Sequence, residues 1–456
     1  MKFTSIASTW VAAVLGASLW PLLPVNAVEI RVGAAAVALQ ADDSMILSGG
    51  IGPRQAKGQE GELRAVAIVI TDQNGTKVAL VACDVLFTPG DLVDAALREI
   101  EQTVGIPAQH VLINATHTHH APCTVEIHGC LPDERFREIL RSGIVEAVRK
   151  ANASLSADAS SFFFHLGEET TVGANSRLLM KDGRIHWIGS RTDAVRPTGP
   201  FDPQLPVLAF RDPQGGLQAL LYNHSTHTIG TRRGAVRSPS FYGLAAQELE
   251  KELGGIVCFL EGASGSTHNI TGVATKEAIR RMKQAVTEAL QQAQRRPVKR
   301  LVSVKRRFSY RVREFDEETE DGKVVTYVRK YAPSIADKTI TIFRDMRRQL
   351  KPVQGQQRET WIQVVLIGDV AIVGVPAEYF TSLGADIKKR SPFRYTYIAE
   401  LANDWIGYLP DREGHGLGGY QTWTGLHSYA EVGTGERMAD EVIAMLKTLA
   451  VEPGGE

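Results

Sequence analysis

The densest chemistry in the chain lies at Ile113-Asn114-Ala115-Thr116-His117-Thr118-His119-His120-Ala121-Pro122. Nine of the twelve histidines fall between Leu112 and Asn269. His117 and His119 are two residues apart, so an extended backbone points both rings to one side. One imidazole can then bind a metal while the other moves a proton beside it. A second polar cluster, Asn223-His224-Ser225-Thr226-His227-Thr228, follows an apolar run. So does a third, Glu261-Gly262-Ala263-Ser264-Gly265-Ser266-Thr267-His268-Asn269, whose small residues let a ligand approach the main chain. Two imidazoles and a carboxylate suit Zn²⁺ with a position left for water, which zinc acidifies while polarising a carbonyl. A single histidine is more often a hydrogen-bonded framework residue than a ligand. Three His-bearing loops, each directly after an apolar strand, point to a metal site.

The elements that must position these loops alternate between strand-like and helix-like texture. Residues 65–71 and 77–86 are rich in Val, Ile and Ala and flank Asp72-Gln73-Asn74-Gly75-Thr76, an Asn-Gly hairpin signal. Residues 91–104 and 134–151 have apolar residues at helical spacing, with a short strand predicted at 111–113 between them. Residues 206–211 and 217–223 form a second hairpin-like pair. A helix over 242–253 ends at Gly254-Gly255, a strand spans 256–260, and a long helix spans 276–294. Beyond Pro297 come a basic strand at 301–313, an acidic stretch at 314–321, two β-rich runs within 361–375 and a last helix at 436–449. Strands alternating with helices predict an α/β fold, and the hairpins make its β-sheet core mixed, flanked by helices. The mature chain, 28–456, reads as a single catalytic domain, with 297–352 as a subdomain or an insertion. Strand ends in such a fold are where sites form, because side chains there face a crevice from a rigid backbone.

Composition narrows the partners. Of 456 residues, 51 are Lys or Arg and 51 Asp or Glu, so the net charge is zero. That balance argues against nucleic acid as a partner, and there is no polybasic membrane anchor. With 43% hydrophobic and 22% charged residues, the chain is not disordered throughout. Lys2, the apolar stretch 6–23 and Val25-Asn26-Ala27 have the three parts of a signal peptide over 1–27, which implies a secreted or periplasmic protein. Retention as an anchor is the weaker alternative, since Pro21 and Pro24 interrupt the apolar run. Cys83 and Cys258 sit in apolar runs as small core residues. Cys123 and Cys130 flank a Gly-containing loop, where a local disulfide and two free thiols are equally compatible with export.

The segment Ala115–Pro122 resembles the "THTHSGP" motif of neutral (alkaline, non-lysosomal) ceramidases. The resemblance continues in order along the chain. Gly173-Ala174-Asn175-Ser176-Arg177 is similar to that family's Asn-Arg segment, and Asn223–Thr228 to its second histidine segment. Glu261–Ile270 is similar to its active-site loop, Val375-Pro376-Ala377-Glu378 to its "PGE" segment, and 401–408 with Gly419-Tyr420 to its two-tyrosine segment. The resemblance implies a ceramidase-like catalytic fold and a zinc ion held by His117, His227, Glu378 and Tyr408. Tyr408 is taken before Tyr420 by order within the motif. His119, Arg177 and Tyr420 are then implied in the substrate-facing shell, with His119 as general base or acid and Arg177 and Tyr420 on the developing oxyanion. Read without the resemblance, Glu378 would cap a helix starting near Tyr379, Tyr408 would be a packed aromatic and Arg177 a surface residue.

Two departures stand out. The family's essential serine falls at His268, with Ser264 and Ser266 nearby, and the residues after Tyr420 leave room for a helix and a tail rather than for the family's C-terminal immunoglobulin-like domain. The implied activity is zinc-dependent hydrolysis of the amide bond in a ceramide-like or other N-acyl substrate, a small molecule or lipid of sphingolipid type. Peripheral membrane contact suits such a substrate, and no protein partner is evident. The alternatives are a catalytically silent relative that binds a lipid or glycan, and an esterase or cell-envelope amidase of the same fold. An imidazole at 268 is bulkier than a hydroxymethyl group, which predicts weak activity on long-chain ceramide and retained activity on smaller amides or esters. It would hydrogen-bond the substrate or add a metal ligand.

Overall fold

The computed structural model describes residues 27–451. The expected leader, apart from Ala27, lies outside the described residues. Three main sheets share one apolar core. The first runs Ile30–Ala38, Arg64–Asp72, Lys77–Cys83, Val111–Ala115 in spatial order. The second runs Ile256–Glu261, Leu217–His224, Gln204–Arg211, Ser161–Glu168, Gln294–Arg296. The third runs Leu301–Arg311, Gln357–Ile367, Val370–Gly374, Tyr395–Ala399. Ile68, Leu80 and Leu112 from the first meet Phe210, Leu221 and Leu260 from the second and Val365, Ile372 and Tyr397 from the third. Because the far faces are covered as well, central strands bury both sides. Arg64–Asp72 is buried at every position, and its unbroken apolar run is what a strand between two layers requires.

Helices close the outer faces. Gly90–Val104 and Glu134–Ala153 pack on the first sheet, Ser240–Leu253 and Thr275–Gln292 on the second, and Thr381–Arg390 and Thr434–Val451 on the third. The hairpin expected around Asn74-Gly75 is present: Gly75 has φ +85°, and Asp72 Oδ1 accepts from the Asn74 and Thr76 amides at 3.0 and 2.8 Å. The acidic stretch becomes the helix Glu317–Tyr331, capped by Asp316 Oδ1 on the Thr319 amide at 2.9 Å, with its carboxylates at the positive end of the helix dipole. Together with Ala336–Leu350 it forms a helical excursion between Leu301–Arg311 and Gln357–Ile367, which pair antiparallel. Tyr327, Val328, Phe343 and Met346 from that excursion join the core of the first sheet, so residues 297–352 pack into the body of the molecule. Among the described residues, no helix is long and apolar enough to cross a membrane.

Each sheet contains one parallel pair joined through a helix. These are Lys77–Cys83 with Val111–Ala115, Leu217–His224 with Ile256–Glu261, and Val370–Gly374 with Tyr395–Ala399. One asparagine near the end of each pair ties the sheets to one another. Asn114 accepts from the Glu261 amide at 3.1 Å and donates to the Glu400 carbonyl. Asn223 donates to the Leu260 and Ile398 carbonyls at 2.9 and 2.8 Å. Asn403 accepts from the Ile113 amide at 3.2 Å and donates to Gln363 Oε1 at 2.8 Å. The carboxyl ends of all three parallel pairs are thereby held at one place, where the polar loops begin.

Candidate metal centre

His117 follows Val111–Ala115 in the left-handed region at φ +59°, a conformation that a non-glycine residue rarely adopts and that clusters at functional positions. The alternating extended geometry expected from the two-residue spacing is therefore not how the rings meet. A left-handed turn at His117 brings its Nε2 to 3.3 Å from His119 Nε2. His227 arrives from the loop after Leu217–His224, with its ring centroid 4.5 Å from that of His117. Glu378 and Tyr408 come as neighbours, since they are direct partners in the short parallel pair Glu378–Tyr379 with Tyr408–Leu409. Glu378 Oε1 lies 3.5 Å from His117 Nε2 and 3.6 Å from His227 Nε2, and the Tyr408 hydroxyl lies 3.0 Å from His227 Nε2. The helix that Glu378 would have capped begins instead at Thr381, with Phe380 at its N-cap.

The hydrogen bonds behind the rings fix their tautomers. His117 Nδ1 donates to the Leu86 carbonyl at 3.1 Å, His119 Nδ1 to Gly49 at 2.7 Å and His227 Nδ1 to Ser264 at 3.0 Å. Each ring then presents an Nε2 lone pair to the centre, the arrangement in which carbonyls orient metal-bound imidazoles. Acceptors facing each other at this range repel unless a cation lies between them. Burial, reinforced by the neighbouring imidazoles, holds His117 and His119 well below the usual histidine range, and burial takes His227 down to about 4. The rings are therefore neutral and free to ligate. Burial pushes the Glu378 carboxyl up to about 8. Nitrogen and oxygen donors in this number and tautomeric state fit Zn²⁺.

A further layer holds the donors. Trp405 Nε1 donates to Glu378 Oε2 at 3.2 Å, and its ring stacks on Phe87 at 4.1 Å. Ser264 Oγ donates to Glu400 Oε1 at 2.6 Å and lies 3.3 Å from His227 Nδ1. Gly49 has φ +95°, and a Cβ there would meet the His119 ring at 2.8 Å, so only glycine lets its carbonyl reach that imidazole.

The cluster forms one end of a cavity of about 520 Å³. Apolar and aromatic side chains, among them Ile51, Phe87, Ile127, Trp187, Ile188 and Ile335, make much of its wall. His119 is half-buried on the cavity side, whereas His117 and His227 are buried. Tyr420 lines the cavity between Trp187, parallel at 4.5 Å, and His427 at 4.7 Å, and its hydroxyl lies 3.2 Å from His128 Nε2. Of the two candidate tyrosines, then, the Tyr408 hydroxyl is in the donor cluster and that of Tyr420 is in the wall. His268 lies on Thr267–Asn269, which pairs with Gly173–Asn175. Its ring stacks on His227 with centroids 4.2 Å apart and lines the cavity.

Arg177 does not reach the cavity. Its Nη1 donates to Gln421 at 2.8 Å, and Nη2 donates to the Gly414 and Gly418 carbonyls at 3.0 and 2.7 Å. It braces the loop that carries Tyr420, and its neighbour Ser176 is the residue facing the cavity. Successive residues of an extended segment face opposite sides, so a one-residue difference in register decides which is presented. Ser266 is also turned away, hydrogen-bonded to Thr381 at 3.1 Å. His224 is a framework residue, held between the Tyr242 hydroxyl at 2.5 Å and the Glu169 carbonyl at 3.0 Å. Cys123 and Cys130, the candidates for a local disulfide, are buried free thiols. Trp187, His128 and His427 were not expected at the site. His128 falls in the histidine-rich stretch, but nothing in the sequence ties His427 to it.

No family model and no curated protein sequence matches the chain. Solved structures do. The crystal structure of neutral ceramidase from Pseudomonas aeruginosa has a TM-score of 0.71 at 19% identity, covering 92% of this chain and 74% of that one. A structure of a ceramidase complexed with C2 has a TM-score of 0.71 at 17% identity, covering 94% and 76%. The α/β architecture of this chain is the neutral ceramidase fold.

Proposed function

We propose that the protein is an exported zinc-dependent hydrolase that cleaves the amide bond of a ceramide-like or other N-acyl substrate. The observation that carries this reading is the meeting of three imidazole Nε2 atoms, Glu378 and Tyr408 at the end of an apolar cavity. Its setting in a fold shared with ceramidases supports the choice of reaction. His117, His227, Glu378 and Tyr408 would hold the ion. Zinc bound there supplies Lewis acidity, lowering the pKa of a water and polarising the substrate carbonyl.

The chain's own groups do the rest. The apolar wall takes the acyl chain and excludes bulk water. His119, neutral and on the cavity side, accepts the proton lost by water as its oxygen bonds to the carbonyl carbon. It returns that proton to the nitrogen as the C–N bond breaks, so a carboxylic acid and an amine leave. Tyr420, steadied by His128 and Trp187, presents its hydroxyl toward the oxygen that gains charge. His268 narrows the cavity beside His227 and favours compact substrates over long-chain ceramide. The test is to incubate the purified protein with ceramide and with short N-acyl amines and follow release of both products by mass spectrometry. Release of acid and amine in equal amounts is expected, and no cleavage of any amide in the panel would overturn the reading. Export predicts Val28 as the mature N-terminus.

A further inference from the structure

Arg54 lines the same cavity, in the glycine-rich loop that supports His119. Its Nη2 donates to the Ser48 carbonyl at 2.8 Å and to the His119 carbonyl at 2.5 Å, so the guanidinium lies one residue from the donor cluster. Nε is buried without an acceptor, and Nη1 makes no hydrogen bond among the described residues. Gly50 packs against this edge, and a Cβ there would stand 3.1 Å from Nε. No carboxylate pairs with Arg54 among the described residues. The one carboxylate in the cavity wall, Glu378, belongs to the metal cluster.

Other interior arginines have carboxylate or fuller partners, although Arg64 Nε and Arg347 Nη1 likewise lack an acceptor among the described residues. Arg64 pairs with Glu250 at 2.7 Å, and Arg347 pairs with both Glu317 and Asp321. Arg313 engages all three guanidinium nitrogens, on Ala430, Thr422 and Ser428. Arg54 alone of these lines the ligand cavity with no counter-ion, and its Nη1 makes no hydrogen bond among the described residues. A half-buried cation left in that state is costly, and an anion arriving with the ligand relieves the cost. Arg191, also in the cavity wall, has no carboxylate partner either. Its Nη1 donates to the Thr271 hydroxyl.

We infer that Arg54 forms an anion subsite beside the metal centre, so that the preferred amide carries a carboxylate, sulfonate or phosphate group near the scissile bond. This rests on the hydrolase reading for the word substrate, but binding tests it without turnover. The ligands are N-octanoylethanolamine, which is neutral, N-octanoylglycine, N-octanoyltaurine and the phosphate ester of N-octanoylethanolamine. Each is titrated calorimetrically into the chelator-treated protein, which does not turn the amides over and offers no metal to the anions. At least one anionic ligand should bind about tenfold more tightly than the neutral amide, the order expected of a charge-assisted contact, and which anion leads identifies the group. Arg54→Gln should bring that ratio to within about twofold, while Arg54→Lys, which keeps the charge, should retain a preference. In wild type the preference should shrink with added salt, a readout that stands even if Arg54→Gln fails to fold. Equal binding of all four ligands by wild type, or an unchanged ratio in folded Arg54→Gln, would overturn the subsite. Tight anion binding without hydrolysis would leave the subsite standing and remove the hydrolase. Hydrolysis of the neutral amide without anion preference would do the reverse.

Discussion

The metal end of the cavity and the wall around it are built on opposite terms. At the metal end nearly every polar atom has a fixed partner. Three imidazoles are tautomerically locked by carbonyls, Glu378 is held by Trp405, and Asn114, Asn223 and Asn403 join the sheets beneath. At the wall, polar groups are left with capacity to spare: Arg54 Nε and His427 Nδ1 have no hydrogen-bond partner among the described residues. Full satisfaction around a shared set of lone pairs is how a fold pre-organises for a cation. Spare donors around an apolar space are how it selects a ligand. In the proposed function the metal end sets the reaction class, and the wall sets which molecule undergoes it.

Changes at the metal end should therefore remove function, and changes at the wall should redistribute it. The largest effect is expected from the double substitution His117→Ala with His227→Ala. Metal content should fall from about one equivalent to near zero, since two donors are lost at once. His165→Ala, on Ser161–Glu168 and outside the cavity wall, should keep its metal. Unchanged zinc in the double variant, measured by atomic emission, would erase the distinction between metal end and wall.

An intermediate effect should separate the tyrosines. Tyr408→Phe should weaken zinc affinity by at least about tenfold, the lower bound for disturbing a ligand set. Tyr420→Phe should leave affinity unchanged and lower kcat by about a hundredfold, as loss of an oxyanion donor does. A reversed pattern would exchange their roles. The smallest effect belongs to His268→Ser, which should retain zinc and raise activity on long-chain ceramide by about tenfold relative to short N-acyl substrates. Efficient ceramide hydrolysis by wild type, reduced by this substitution, would show that the histidine works in the reaction rather than narrowing the space.

The division between metal end and wall also explains what the sequence disclosed. Donors at the metal end follow directly from strands, and strands announce themselves by apolar runs. His117 and His227 could thus be picked out with the elements that carry them. The strands and helices that were expected lie within a few residues of their bounds, whereas Ile30–Ala38, Ser161–Glu168, Ala336–Leu350 and Tyr395–Ala399 were not expected. Glu378, Tyr408 and Tyr420 were reachable only through the resemblance, because a short parallel pair and a tyrosine in a loop have no periodic signal. Arg177 shows the limit of motif reading: the correct segment reaches the site, but register presents Ser176 to the cavity. Arg54, Trp187 and His427 were invisible because contacts far apart in sequence bring them to the wall. The helix Thr381–Arg390 was expected from near Tyr379 and begins two residues later.

The most direct test of the account is a zinc titration of the chelator-treated protein, followed by cleavage of a short N-acyl amine. Activity should rise linearly and break at one equivalent per chain, and the double histidine variant should show neither the break nor the activity. Cleavage at full rate by the metal-free protein, or tight zinc binding that produces no amide cleavage at any occupancy, would contradict it.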